Sequence, residues 1–244
     1  VNQIALCLVA AQLAGDFLLQ TAAMVRNKKR FPVLLGHCAI LATLSYLLCG
    51  LWTRWEIPAV ILASHALIDF AKLKSGKNTP AAFLIDQGAH FAVIAALTMF
   101  ITGTSGPDSS WTAFLGPWYL KVLVLLSGAT ASVKTGGFLI GVAVRPIQEQ
   151  LLEHRKKSGT DFTGFETGGM LIGQLERGLI LLLTLTGQAA GIGFLIAAKS
   201  ILRFGDAQDP RHRIEAEYII IGTLMSFGWG ILTAFLTLAF FQQV

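Results

Sequence analysis

Residues 32–51 read PVLLGHCAILATLSYLLCGL, a run free of aspartate, glutamate, lysine and arginine that directly follows Arg26-Asn27-Lys28-Lys29-Arg30 and Phe31. About 20 apolar residues in a helix are what it takes to cross the roughly 30 Å hydrocarbon layer of a bilayer, and flanking basic residues mark the cytoplasmic side. Apolar runs alternating with short polar gaps fill the rest of the chain. Of its 244 residues, 54% are hydrophobic and 14% charged, against about 25% charged in ordinary soluble domains. A water-soluble globule is excluded. The fold expected is all-α, a polytopic transmembrane helical bundle. The net charge of +5 then reports orientation in a membrane, and no nucleic-acid partner is expected. Cys7, Cys38 and Cys49 fall in or beside apolar runs without metal-ligand spacing and read as small buried hydrophobes.

The candidate spans are 3–24, 32–51, 56–72, 81–102, 118–143, 168–186, 188–203 and 215–241. About eight crossings are expected, or six to seven if the pair 168–186 and 188–203 turns back near Gly187 as a broken hairpin. The first run holds Asp16 and Gln20 and lacks a basic leader and a small-residue cleavage site, so a retained span is expected there. Fourteen of the nineteen lysines and arginines follow spans one, three, five and seven. That bias makes those gaps cytoplasmic and puts both termini outside. Trp52, Trp55, Trp111 and Trp118 fall near the proposed outer boundary, where aromatic rings suit the headgroup region. Segment 145–167, with Ile147, Leu151 and Leu152 among charged residues, is expected to lie at the inner interface as a short amphipathic helix, with His154 solvated.

A pattern recurs within residues 1–105. Gln12-x-x-x-Asp16-Phe17 reappears as His65-x-x-x-Asp69-Phe70, and the same offset of 53 carries His37 onto His90. Because that offset covers two crossings, the pattern points to a parallel repeat of two-helix units. Asp16, His37, His65, Asp69, Asp86, Gln87 and His90 all fall in the inner half of their spans. Positions i and i+4 share a helix face, so His65 with Asp69, and Asp86 with His90, each point into one space. Carboxylates at this depth are costly unless paired with histidine, lysine or a cation.

Three histidines and three aspartates supply the donors of a divalent metal site, with zinc the first choice and manganese or iron the alternatives. The expected ligands are His37, His65, Asp69 and His90. Asp16 and Asp86 are assigned to complete the sphere, orient the histidines or activate water. A hydrogen-bond network that only holds four helices in register is the competing account. The second half, 106–244, is expected to form one integrated membrane domain with the first. Its buried charges Glu176, Arg177, Lys199 and Glu217 are expected either to pair structurally or, with Arg177 and Lys199 leading, to hold an anionic headgroup; Gln20 and Gln87 are further candidates for contact with substrate.

The segments Asp16-Phe17-Leu18-Leu19-Gln20, Leu35-Gly36-His37, His65-Ala66-Leu67-Ile68-Asp69-Phe70-Ala71-Lys72 and Asp86-Gln87-x-x-His90 resemble the signatures of a bacterial integral-membrane family catalogued as a domain of unknown function (3307). The likeness extends to Leu175-Glu176-Arg177, Ala197-Ala198-Lys199-Ser200 and Glu215-Ala216-Glu217-Tyr218. The family's first motif begins with histidine where this chain has Gln12, and glutamine is a poor metal ligand. A more distant similarity to membrane-bound metal-dependent hydrolases implies metal chemistry by analogy. The resemblance implies a multi-pass protein of the bacterial cytoplasmic membrane. Three functions are left open: a metal-dependent hydrolase acting on an amphiphilic, phosphate-bearing substrate of the inner leaflet; a transporter or channel for a metal ion, proton or small anion; and a structural or sensory subunit. Membrane lipid is the expected partner, with a homo-oligomer a further option.

Overall fold

The structure is a computed structural model that describes residues 2–104, 109–158, 168–203 and 213–244; the side chains of 154–158, 202–203 and 213–217 lie outside the description. Every described element is helical. Two compact units are formed, one by Val1–Thr130 with Ala239–Val244 and the other by Ala131–Leu238.

In the first unit, α1 (Gln3–Ala14) starts where the Asn2 side chain accepts the Ile4 and Ala5 N–H groups, satisfying two donors that a helix start leaves open. It runs into a π-helical turn, Gly15–Leu19, and breaks at Gln20, whose backbone is extended. A short helix α2 (Ala22–Asn27), capped by the Thr21 hydroxyl, leads to α3 (Phe31–Cys49), which Pro32 opens and Gly50 closes at φ 61°. Next come α4 (Glu56–Ser75), ending at Gly76 with φ 63°, and α5 (Pro80–Thr104). A short α6 (Ser110–Leu115) precedes α7 (Pro117–Ala129). Helix α3 packs on α4 and α1, and α1 also lies against α5 and α7.

The buried apolar cluster of this unit gathers Ile4 and Leu8 from the start of α1, Leu41 and Cys49 from the later part of α3, Ile57 and Ile61 from the start of α4, and Ile94, Leu97 and Ile101 from the end of α5. These helices alternate in direction, so the contributions meet at one end of the bundle. Aromatic donors close that end. Trp111 Nε1 donates to the Leu47 carbonyl and the Tyr119 hydroxyl to that of Leu48, satisfying acceptors that the C-terminus of α3 leaves open. The opposite ends of the same helices are left for polar residues.

Gly15 is required by packing. A Cβ there would lie 2.5 Å from Leu41 Cγ and 2.9 Å from its Cδ2, and Leu41 is fully buried. Gly15→Ala is therefore expected to cost about 1–3 kcal/mol of stability by overpacking. Unfolding of the detergent-solubilised protein measures it. The double variant with Leu41→Ala should lose less than the two singles summed, because the space opened by one takes up the methyl of the other. Strict additivity would mean that the two sites do not meet.

The second unit begins inside a further π-helical turn, Thr130–Thr135, which continues as α8 (Gly136–Ser158) with Pro146 inside it. It is followed by α9 (Gly168–Leu185), α10 (Ala190–Arg203) and α11 (Arg213–Phe241). Residues 145–158 prolong α8, so the expected separate amphipathic helix is not formed over that stretch; residues 159–167 and the His154 side chain lie outside the described residues.

Among the described residues, five helices are long and apolar enough to cross a membrane: Phe31–Cys49, Pro80–Thr104, Pro117–Glu153, Gly168–Leu185 and Tyr218–Phe241. The expectation of about eight counted three more. The first, 3–24, is a continuous helix only to Leu19, because the chain breaks at Gln20 before α2 begins. Helix α4 has 20 residues but carries Glu56, Asp69, Lys72 and Lys74, and α10 has 14 residues. The anticipated two-helix repeat is not matched locally either. The segment holding Asp16 breaks after a π turn, whereas α4 runs unbroken past the corresponding Asp69.

Candidate metal centre

The polar ends of α1, α3, α4 and α5 meet in one buried cluster. His37, His65, Asp69, Asp86, Gln87 and His90 are buried, and the Asp16 side chain retains 11% of its exposure. The Nε2 atoms of His37 and His65 are 3.2 Å apart. Asp16 Oδ1 is 3.2 Å from the first and 3.5 Å from the second, while Asp69 Oδ2 is 3.8 and 3.4 Å from them. Ligands 2.0–2.1 Å from zinc in tetrahedral array stand about 3.3 Å apart. The five separations bracket that spacing. Ligand atoms of His37, His65 and Asp69 form one group within 4.8 Å of one another; Asp16, His65 and His90 form a second, and Asp69, Asp86 and His90 a third.

Surrounding side chains aim these atoms. Gln12 Nε2 donates to Asp16 Oδ2 at 2.8 Å and Gln87 Nε2 to the same oxygen at 3.1 Å, which leaves Oδ1 turned toward the histidines. Gln12, a poor ligand by its chemistry, thus takes part by orienting a carboxylate. Gln20 Nε2 lies 3.0 Å from His37 Nε2. The His90 ring stacks on that of His65 with centroids 4.1 Å apart, and His37 meets His65 edge to face at 5.1 Å. The π turn puts Gly15 against Leu41 and Asp16 within reach of both α3 and α5.

Two lysines with no expected site role belong to the cluster. Lys28 Nζ is 2.6 Å from Asp69 Oδ2, and Lys72 Nζ is 2.7 Å from Asp86 Oδ2. The Lys72 side chain keeps about a third of its exposure. A signal for it was present, since Lys72 follows Asp69 by three residues on one helix. Lys28 carried no comparable signal, because its partner is distant in sequence.

The remaining expected site residues lie in the second unit. The buried Arg177 directs Nε to the Ser132 carbonyl at 2.8 Å, one terminal nitrogen to Ser226 Oγ at 2.8 Å and the other to the Val133 carbonyl at 3.0 Å. Both carbonyls belong to the π turn Thr130–Thr135. Trp229 Nε1 takes the Ala131 carbonyl of the same turn at 2.9 Å. Glycines line the guanidinium: a Cβ at Gly137 or Gly173 would lie 3.0 or 3.1 Å from its nitrogens. Lys199 Nζ pairs with Glu176 at 2.7 Å and stands 5.5 Å over the Phe227 ring. The Glu217 side chain is outside the described residues. The His/Asp cluster is built from residues of the first unit.

Helical bundle and cluster together define a multi-helix membrane protein with a buried histidine–aspartate centre able to hold a metal ion. Residues 4–119 match the model of the family described as Protein of unknown function (DUF3307), as the motifs led us to expect. That segment contains every member of the cluster, from Gln12 to His90. No curated protein matches the chain, and neither does any solved structure.

Proposed function

We propose that the cluster binds a divalent cation through His37, His65 and Asp69, with Asp16 at its edge, and that the protein is a metal-dependent hydrolase of an amphiphilic, phosphate-bearing substrate at the cytoplasmic leaflet. The convergence of two imidazole Nε2 atoms and two carboxylate oxygens, with each nitrogen 3.2–3.8 Å from the other nitrogen and from both oxygens, supports this reading. So many acceptors in one buried space are held together only by shared protons or a cation. The mixed nitrogen and oxygen set suits zinc, manganese or iron. Such an ion would supply Lewis acidity, lowering the pKa of water and polarising a phosphoryl oxygen. Asp16 Oδ1, fixed through its sister oxygen by Gln12 and Gln87, is placed to accept the proton. Lys72, partly exposed, is the cluster cation with most access to an anionic group. The fuller span count, with α1 and α4 embedded beside α3, belongs to the same proposal, as does a cytoplasmic opening on the side of the basic loops.

Elemental analysis of the purified protein beside a His65→Ala/His90→Ala variant tests the site. Stoichiometric metal in the first and none in the second is expected. No metal in either, after growth in supplemented medium, overturns the reading. Hydrolysis of phospholipid vesicles that stops on chelation and returns with metal tests the reaction; metal flux through proteoliposomes without turnover would point to transport instead.

Lys28 occupies the Asp69 oxygen that faces the histidines, so it competes with the cation. Removing the ammonium of this 2.6 Å ion pair, a contact to a charged group on the scale of about 1.5–3 kcal/mol, corresponds to roughly 10- to 100-fold in affinity. Lys28→Met is expected to tighten metal binding by about that factor in a competition titration. Weaker binding would mean that the lysine supports the site.

A further inference from the structure

We infer that the cluster is a dinuclear centre, with a second divalent cation held by Asp86 and His90 and joined to the first through Asp69; this rests on the metal-binding reading above and extends it. Asp86 and His90 stand four residues apart on α5, and both are more than nine-tenths buried. Asp86 Oδ2 is doubly engaged, by Lys72 at 2.7 Å and by Gln87 Nε2 at 3.3 Å. Its other oxygen, Oδ1, has no hydrogen-bond partner and no access to solvent, and the same is true of His90 Nε2.

These two atoms are 3.9 Å apart. That is too long for a hydrogen bond, yet two metal–ligand bonds of about 2.0–2.2 Å span it. A buried acceptor without a donor costs about 1–3 kcal/mol, and more if it is charged. Here two such atoms face each other across a cation-sized interval. Stacking on His65 at 4.1 Å fixes the His90 ring, and the two donors on Asp86 Oδ2 fix the carboxylate, so neither turns away to find another partner.

Ligand atoms of Asp69, Asp86 and His90 lie within 4.8 Å of one another, and Asp69 belongs equally to the group with His37 and His65. A carboxylate common to two donor sets is the usual bridge of paired ions about 3.5–4 Å apart, an arrangement that clamps the attacking and leaving oxygens of a phosphate ester. The substrate class this favours is therefore a phosphate ester. Asp86 acts in this arrangement as a ligand, and proton transfer is left to Asp16.

Equilibrium dialysis of the full-length protein in detergent against Mn(II), followed by electron paramagnetic resonance of the loaded protein, tests the inference without an activity assay. Two tightly held manganese ions per chain with a spin-coupled spectrum are expected. His90→Gln, checked for helicity and monodispersity, should hold one ion with the uncoupled six-line signal, and Asp86→Asn should behave alike. One ion per wild-type chain, or two ions without coupling, overturns the second position and leaves the single-ion reading intact. No tight ion in the wild-type protein overturns both.

Discussion

His65→Ala is expected to abolish metal binding at the proposed centre while the helices remain. His65 Nε2 stands 3.2 Å from His37 Nε2, 3.5 Å from Asp16 Oδ1 and 3.4 Å from Asp69 Oδ2, and its ring carries that of His90. His37 Nε2 has the same three kinds of neighbour, but its ring does not stack on that of His90. Loss of a hydrogen bond that merely supports a ligand costs about 10- to 100-fold in metal affinity, so loss of His65 itself should cost more. Metal content and a binding titration measure the effect, and circular dichroism reports the fold. An alanine variant that binds metal like the wild type would reduce the cluster to a polar network holding four helices in register.

The second large effect is expected at Arg177. Its guanidinium satisfies two carbonyls of the π turn Thr130–Thr135 and the Ser226 hydroxyl, in a space bordered by Gly137 and Gly173. A π turn shifts the backbone hydrogen-bond register, and in a membrane segment the carbonyls it frees must find donors within the protein. Each buried acceptor left without its donor typically costs about 1–3 kcal/mol, and Arg177 serves three. Arg177→Met should lower the unfolding midpoint of the solubilised protein accordingly. Arg177→Lys should rescue little, because a point-like ammonium cannot reach three acceptors in fork geometry. A lysine variant of wild-type stability would show that charge alone suffices and the fork is dispensable.

Much of the centre is legible in the sequence because helices convert spacing into direction. His65 with Asp69, and Asp86 with His90, stand four apart and face one space, and Asp16 and His37, expected in the same half of their spans, meet at 3.2 Å. The 3.6-residue period also finds most helices. It does not reveal where a helix widens by one residue, and both π turns, Gly15–Leu19 and Thr130–Thr135, went unread. Breakage at Gln20 leaves the first expected span too short for the group long and apolar enough to cross, and the charges of α4 and the length of α10 keep two more out of it. Lys28 was read as a loop charge since nothing local links it to Asp69. Arg177 was left between structural pairing and an anionic headgroup, because nothing near it in the sequence shows that the backbone of Thr130–Thr135 supplies the acceptors.

The widened turn at Gly15–Leu19 has a geometric consequence. Each residue of an ordinary helix advances about 100° around the axis, and a π turn absorbs one residue without that advance. Everything downstream of it is therefore phased differently from everything upstream. Gln12, before the widening, and Gln20, after it, both reach the cluster, one at Asp16 and the other at His37. A chain one residue shorter here would regain a regular helix at the cost of swinging Gln20 off His37, so the local length of the polypeptide is as much a determinant of this centre as the identity of its ligands.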